Sequence, residues 1–389
     1  MMQMSGSARV WTSILAACLL IPTLGIALQR EDSLEEFHKR RLSKLPERGQ
    51  FFEDPPAYFR AARAWVSDRA FPIAQATRLE KRVAYFALGA APEPRITIGK
   101  DGHVFVNGAG NDSLFGLIES TCLKAHLGGT ARTLERSLRR WSKIGQDRKL
   151  RVDVIAVPTA ASLYADKLPD SVPVALRDAC RERMNGNSAL LRVRAPRDVG
   201  YVYPLPEMLA QRGDAAFFPR ANWHPTGLSL KVVRDTYLAT LQALEPVAET
   251  LDLGVAPSEL LSDYGISEDE PTYLMRNPHV SEQPARNAEL KSALSSLFVG
   301  GRPSTHVYSN TKPVLAETAV MLSDSFGDWA SFAFAGAFRQ LIHVNTNDLR
   351  AHRAGRLLDQ LAEFEHIDRL IVLVQEGNTE RITTLADER

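Results

Sequence analysis

The chain has 389 residues, of which 44% are hydrophobic and 24% charged, with a formal net charge of +1. These are ordinary globular proportions, and the length suits one large α/β domain with an appendage, or two domains. So small a net charge, with no basic stripe interleaved with aromatics, argues against a nucleic-acid partner.

Arg9 precedes an almost uncharged run from Val10 to Leu28, closed by Gln29-Arg30-Glu31-Asp32. Residues 1–30 therefore read as a signal peptide or an N-terminal membrane anchor. The run is long enough to span a bilayer, while Pro22 loosens its end and Gly25 and Ala27 offer a small-x-small cleavage site. The lipoprotein-like Leu15-Ala16-Ala17-Cys18 is followed by too long an apolar run for cleavage there. No later segment is apolar enough to cross a bilayer, so everything after residue 30 belongs in one non-cytoplasmic compartment. Cys122 and Cys180 either pair there or stay as two buried thiols, and neither has the His or ligand spacing of a catalytic or metal-binding cysteine.

Residues 31–94 read as a helical lead-in, with Tyr58, Phe59, Ala62, Trp65 and Val66 at helical spacing on a core-facing stripe. Arg95 to Val106 is two short strands around Asp101-Gly102, with His103 a structural residue of that hairpin. A basic helix follows at 130–149. Apolar runs then alternate with helical segments, the pattern of a parallel sheet covered on both faces. Val152 to Val157, Ala215 to Phe218, Leu341 to Val344 and Leu370 to Val374 are predicted strands, with helices near 204–212, 226–246, 328–340 and 353–365. The stretch 251–300, heavy in Pro, Glu, Asp and Ser, reads as an insertion or irregular lid.

Ala319 to Leu322 is a further apolar run, broken by Ser323-Asp324-Ser325 before a helical pattern begins. Strand, tight turn and helix expose a nucleophilic serine and aim helix N-terminal N–H groups at developing negative charge. Ser325 is the candidate nucleophile. The competing reading is that Ser323, Asp324 and Ser325 only cap the helix.

Four segments resemble the bacterial alginate O-acetylation proteins of the AlgX and AlgJ type. They are Ile98-Gly99-Lys100-Asp101-Gly102-His103-Val104-Phe105, the Pro158 to Pro169 stretch with Tyr164 and Leu168-Pro169, Asn222-Trp223-His224-Pro225-Thr226-Gly227, and Leu322-Ser323-Asp324-Ser325-Phe326. The resemblance implies that residues 95–389 form an SGNH-hydrolase-like catalytic domain, a parallel sheet flanked by helices. It also implies a periplasmic enzyme without a cofactor, which acetylates an exopolysaccharide through an acetyl-serine and takes acetyl from a membrane-bound donor protein. The chain stops soon after its last strand, as in the shorter AlgJ-type members, which predicts no terminal carbohydrate-binding domain. An acetylesterase of the same fold and a catalytically silent scaffold of a secretion complex are the alternatives.

Acyl transfer needs a nucleophile, a base, a group that orients the base, and oxyanion donors. Ser325 and His224 take the first two roles, each at a strand-to-helix junction. Where the family has an Asp two residues before its His, this chain has Asn222, which orients an imidazole only through its carbonyl oxygen. Asp214 is an alternative source of a carboxylate. The Ser325 N–H is the expected oxyanion donor, with Asn345 or Asn347 as side-chain partners. Arg381 is expected either to hold a substrate carboxylate or to pair with Glu376.

Overall fold

The computed structural model describes residues 42–387, apart from residues 70–72, 109–113, 244, 263–265, 267–268 and 351–353. The predicted signal or anchor at residues 1–30 lies outside the described residues. Among these, no helix is long and apolar enough to cross a membrane. They divide into two compact units: residues 42–93 with Ile266, and residues 94–262 with the chain from 269 onward.

The first unit holds helices α1 (Pro55–Arg69) and α2 (Ile73–Leu88). Arg69 lies 5.1 Å over the Trp65 ring. Phe59 and Val66, expected on a core-facing stripe, are exposed.

The second unit opens on a hairpin of β1 (Ile96–Ile98) and β2 (Val104–Val106), with Asp101 at φ 54 in its turn. His103 is buried there against the Lys100 carbonyl, 3.1 Å from its Nδ1. The remaining strands are β3 (Arg151–Val157), β4 (Val199–Val202), β5 (Thr250–Pro257), β6 (Asp269–Arg276), β7 (Val280–Glu282), β8 (Thr305–Asn310), β9 (Leu315–Ser323), β10 (Phe338–Asn345) and β11 (Arg369–Gln375). Seven of them form one sheet in the order β4-β3-β11-β9-β10-β8-β7. The five from β4 to β10 run parallel, and β8 and β7 add on antiparallel at one edge. Val154 to Val157, Ala319 to Leu322 and Leu370 to Val374 are wholly buried, as continuous apolar strands covered on both faces must be. The fold is thus α/β, a mainly parallel sheet flanked by helices.

Two expectations are corrected. Ala215 to Phe218 is a turn, buried from Ala216 on, and not a strand: four apolar residues cannot distinguish the two, and the Asp214 carboxylate accepts the Ala216 N–H to close the turn. The strand on the outer side of β3 is β4, whose Gly200 hides its strand pattern. The segment 251–300 is not irregular either. It holds the antiparallel pair β5–β6, a short helix, β7 and a helix at Pro284–Leu294. Cys122 and Cys180 form a disulfide between helices α3 (Gly116–Cys122) and α5 (Val174–Met184), which flank the basic helix α4 (Gly128–Arg148) in sequence.

At the amino ends of the central strands, Arg369 of β11 is buried between two carboxylates. It donates to Asp153 Oδ2 at 2.5 Å and to Glu317 Oε2 at 2.6 Å, and Tyr237 of helix α6 (Gly227–Thr240) donates to the same Asp153 oxygen at 2.8 Å. Gly200 makes room for this charge, since a Cβ there would stand 2.0 Å from Asp153 Oδ1. Arg369→Met should therefore lower stability by roughly 3–5 kcal/mol, because it leaves the buried Asp153 carboxylate without its cation, while Glu317 keeps Arg151. A urea midpoint that moves by under about 1 kcal/mol at unchanged slope would show that the pairing does not hold the sheet.

Candidate active site

β9 ends at Ser323, and helix α8 (Ser325–Ala335) starts after a single residue, Asp324. Asp324 is the N-cap. Its Oδ1 accepts the Phe326 N–H at 3.0 Å, while its Oδ2 accepts the Gln375 N–H at 3.0 Å and Asn378 Nδ2 at 3.2 Å. Burial pushes this carboxyl above its usual range, and those three donors and His224 pull it partly back. The cap fastens the β9–α8 turn to the end of β11. It also consumes the Phe326 N–H, while the Asp324 carbonyl accepts Gly327 N–H. Among the described residues no acceptor takes the Ser325 N–H, which is one of the groups that a helix start leaves unpaired. The capping role thus falls to Asp324, and Ser325 stands beside it as the first residue of the helix.

Ser325 Oγ lies 2.9 Å from His224 Nε2, and His224 Nδ1 lies 2.5 Å from Glu259 Oε1. A carboxylate only accepts, so Nδ1 carries the proton and Nε2 is left bare for the serine hydroxyl. The imidazole is stacked on Trp329, with centroids 5.6 Å apart, and meets the edge of Phe326 at 5.1 Å. The arrangement is therefore a Ser325–His224–Glu259 hydrogen-bonded chain with an oriented imidazole at its centre.

Glu259 begins the one-turn helix α7 (Glu259–Ser262) directly after β5. The segment that carries it is laced to the segment that carries His224. The Ala221 carbonyl accepts the Leu260 N–H at 3.0 Å, and Glu259 Oε2 accepts the N–H groups of Trp223 at 3.1 Å and His224 at 3.2 Å. Burial alone would raise the Glu259 carboxyl; the hydrogen bond and charge of His224, with those two backbone donors, hold it below its usual range. Gly227 lets the β5–β6 pair come this close. Its φ is +42, and a Cβ would lie 1.9 Å from the Tyr273 carbonyl of β6.

Asn222 does not occupy the orienting position. Its Oδ1 accepts the Glu259 backbone N–H at 2.9 Å, so it holds the residue that holds the base. Asp214 is spent on the Tyr273 hydroxyl at 2.8 Å and on Ala216. Asn345 gives its Nδ2 to Asp328 Oδ2 at 2.5 Å, so that amide is spent on a carboxylate, and Asn347 is exposed with its backbone N–H on Asn345 Oδ1. Arg381 Nε donates to Thr346 Oγ1 at 3.2 Å, and its Nη2 is buried with no hydrogen-bond acceptor among the described residues. Glu376 accepts from Thr159 and Tyr203. Glu259 went unseen because it lies 35 residues from His224 in a stretch that reads as an acidic insertion. Its one signal is Ser258-Glu259-Leu260-Leu261, a helix start in which Ser258 Oγ accepts the Leu261 N–H at 3.2 Å, and an acid in a first helical turn has an ordinary explanation.

Ser323 fills the space beside the turn. It donates its hydroxyl to the Asp324 carbonyl at 2.7 Å and lies 2.8 Å from Nε2 of His343, whose imidazole is pushed down to about 3 by burial. A Cβ on Gly327 would sit 2.0 Å from Ser323 Oγ, so the room that Ser323 takes is returned three residues into the helix region.

Two outcomes follow. A carboxylate held below its ordinary pKa stabilises the fold above the unfolded-state value, and that contribution disappears as pH falls through the lowered value. The stability gap between wild type and Glu259→Gln should thus be full at neutral pH and close in acid, as read from urea midpoints across pH; a gap that widens in acid would contradict the geometry. Asn222→Asp keeps the acceptor for the Glu259 N–H but sets a second carboxylate beside the first. It should weaken the protein rather than strengthen the base, and a thermal midpoint above wild type would contradict the capping role.

No protein-family model and no curated protein sequence matches the chain. Among solved structures it is similar to the O-acetyltransferase domain of Pseudomonas putida AlgJ, at 13% identity and a TM-score of 0.40 over 76% of this chain and 99% of that one. It is similar to Pseudomonas aeruginosa AlgX at 10% identity and a TM-score of 0.39, over 75% of this chain and 67% of that one. A DHHW family protein from Eubacterium siraeum is similar at 13% identity and a TM-score of 0.46, over 75% and 97%.

Proposed function

We propose that the chain is a serine O-acetyltransferase of the SGNH type that moves acetyl groups onto a polysaccharide in the periplasm, supplied by a membrane-bound donor protein. The observation that carries this reading is the continuous chain from Ser325 Oγ through both nitrogens of His224 to Glu259, at 2.9 and 2.5 Å. Ser325 Oγ attacks the acetyl carbonyl while its proton passes to His224 Nε2. Glu259 stabilises the imidazolium that forms, and the Ser325 N–H faces the developing oxyanion. The imidazolium then protonates the departing donor oxygen, leaving acetyl-Ser325. A sugar hydroxyl gives its proton to the regenerated base and attacks the acetyl carbon; the bond to Ser325 Oγ breaks, the imidazolium returns the proton to that oxygen, and the acetylated sugar leaves. An intact chain of this kind favours chemistry over a silent scaffold. The Cys122–Cys180 disulfide supports an oxidising compartment, and the acetyl group and polysaccharide acceptor come from the motif resemblance.

A chromogenic acetyl ester should give a burst of one product per chain, followed by slower turnover. Ser325→Ala should abolish both with folding intact, and Glu259→Gln should lower turnover by roughly 10²–10⁴. Adding an oligosaccharide acceptor should divert acetyl from water to sugar. Release to water alone would make the protein an esterase, and a folded wild type with no burst would return it to the scaffold reading.

A further inference from the structure

One ring nitrogen each of His306 and His343 and a carboxylate oxygen of Asp328 lie within 4.8 Å of one another, on β8, β10 and the first turn of α8. The two histidines face each other across the antiparallel β8–β10 pair, with their rings stacked 5.8 Å apart. His343 is fully buried, and its Nδ1 has no hydrogen-bond partner among the described residues.

The hydrogen bonds define which lone pairs are bare. The Ser323 hydroxyl has one proton, and the Asp324 carbonyl 2.7 Å away takes it. His343 Nε2 must then donate to Ser323 Oγ, so its Nδ1 is an unprotonated lone pair. That lone pair stands 3.8 Å from Asp328 Oδ1, too far for a hydrogen bond and with no proton between them. His306 Nδ1 lies 2.9 Å from Glu282 Oε1, and a carboxylate can only accept, so His306 offers Nε2. Both imidazoles thus have their second nitrogen committed as a donor, the arrangement by which protein groups orient histidine ligands toward a metal. Asp328 is oriented too, by Ser304 Oγ at 3.0 Å on Oδ1 and Asn345 Nδ2 at 2.5 Å on Oδ2.

We infer that His306, Asp328 and His343 form a binding site for a first-row divalent cation, zinc by the chemistry of the donors. Two imidazoles and one carboxylate suit zinc and are poor ligands for calcium or magnesium, which demand oxygen. Zinc–ligand bonds of about 2.0–2.2 Å require the three donors to close in by side-chain rotation, with His306, the more exposed of the two imidazoles, turning out of its stack on His343. The ion neutralises Asp328, gives the His343 Nδ1 a partner, and fastens the first turn of the Ser325 helix to β8 and β10.

The test is zinc binding to the untagged, chelator-treated protein by calorimetry, with cobalt as an optical stand-in. One zinc per chain, a thermal midpoint that rises with zinc, and visible cobalt bands are expected. His306→Ala and Asp328→Asn should each weaken zinc by at least about tenfold and remove the midpoint rise. His306 is partly exposed, so its variant remains informative if the change at Asp328 unfolds the chain. No binding to wild type, or binding unchanged in folded His306→Ala, would overturn the site and leave Asp328 and His343 as neighbours without an ion.

Discussion

The carboxylate of Glu259 is the constraint on which the candidate site depends. Its Oε1 takes the imidazole proton of His224, and its Oε2 takes two backbone N–H groups from the loop that carries the imidazole. That loop answers through Asn222, which holds the Glu259 N–H, and through the Ala221 carbonyl, which holds Leu260. The orientation and tautomer of the base are set by one interlocked joint rather than by one contact. A charged acceptor with three donors is also among the stronger hydrogen-bonded units a protein can build.

On the nucleophile side, the turn after β9 must solve two problems in three residues. It has to end a strand that is buried from Thr318 onward and begin a helix whose first donor stays unpaired. Asp324 supplies the cap and ties the turn to β11, which removes slack from the Ser325 position. Ser323 adds volume under the turn, and Gly327 gives that volume back. Its hydroxyl also brings His343 into contact with the turn.

Much of this was legible in the sequence, for physical reasons that also explain what was not. Ser325 and His224 sit at junctions where an apolar run or a helix start leaves a local mark. The hairpin around Asp101 was readable because its turn needs a residue that tolerates positive φ. Glu259 left no such mark, because its partnership with His224 is made by tertiary packing of β5–β6 against Gly227. Asn222 was placed correctly in the loop but given the wrong partner, since an amide two residues before a histidine serves a ring or a backbone equally well. β4 was missed at Gly200, where the absence of a side chain reflects the space needed by Asp153 on the neighbouring strand.

That space has a consequence for how the sheet assembles. Arg369 begins β11, and its two carboxylate partners lie on the strands to either side, Asp153 on β3 and Glu317 on β9. Sliding β11 by one residue would turn Arg369 to the opposite face, leaving the buried Asp153 without its cation and Glu317 with Arg151 alone. Hydrophobic side chains tolerate such a slip far better than buried charges do. The network therefore acts as a proofreading device for strand alignment: it rejects mispaired sheets at the amino end, well before the turn carrying Ser325 at the carboxyl end is put to use.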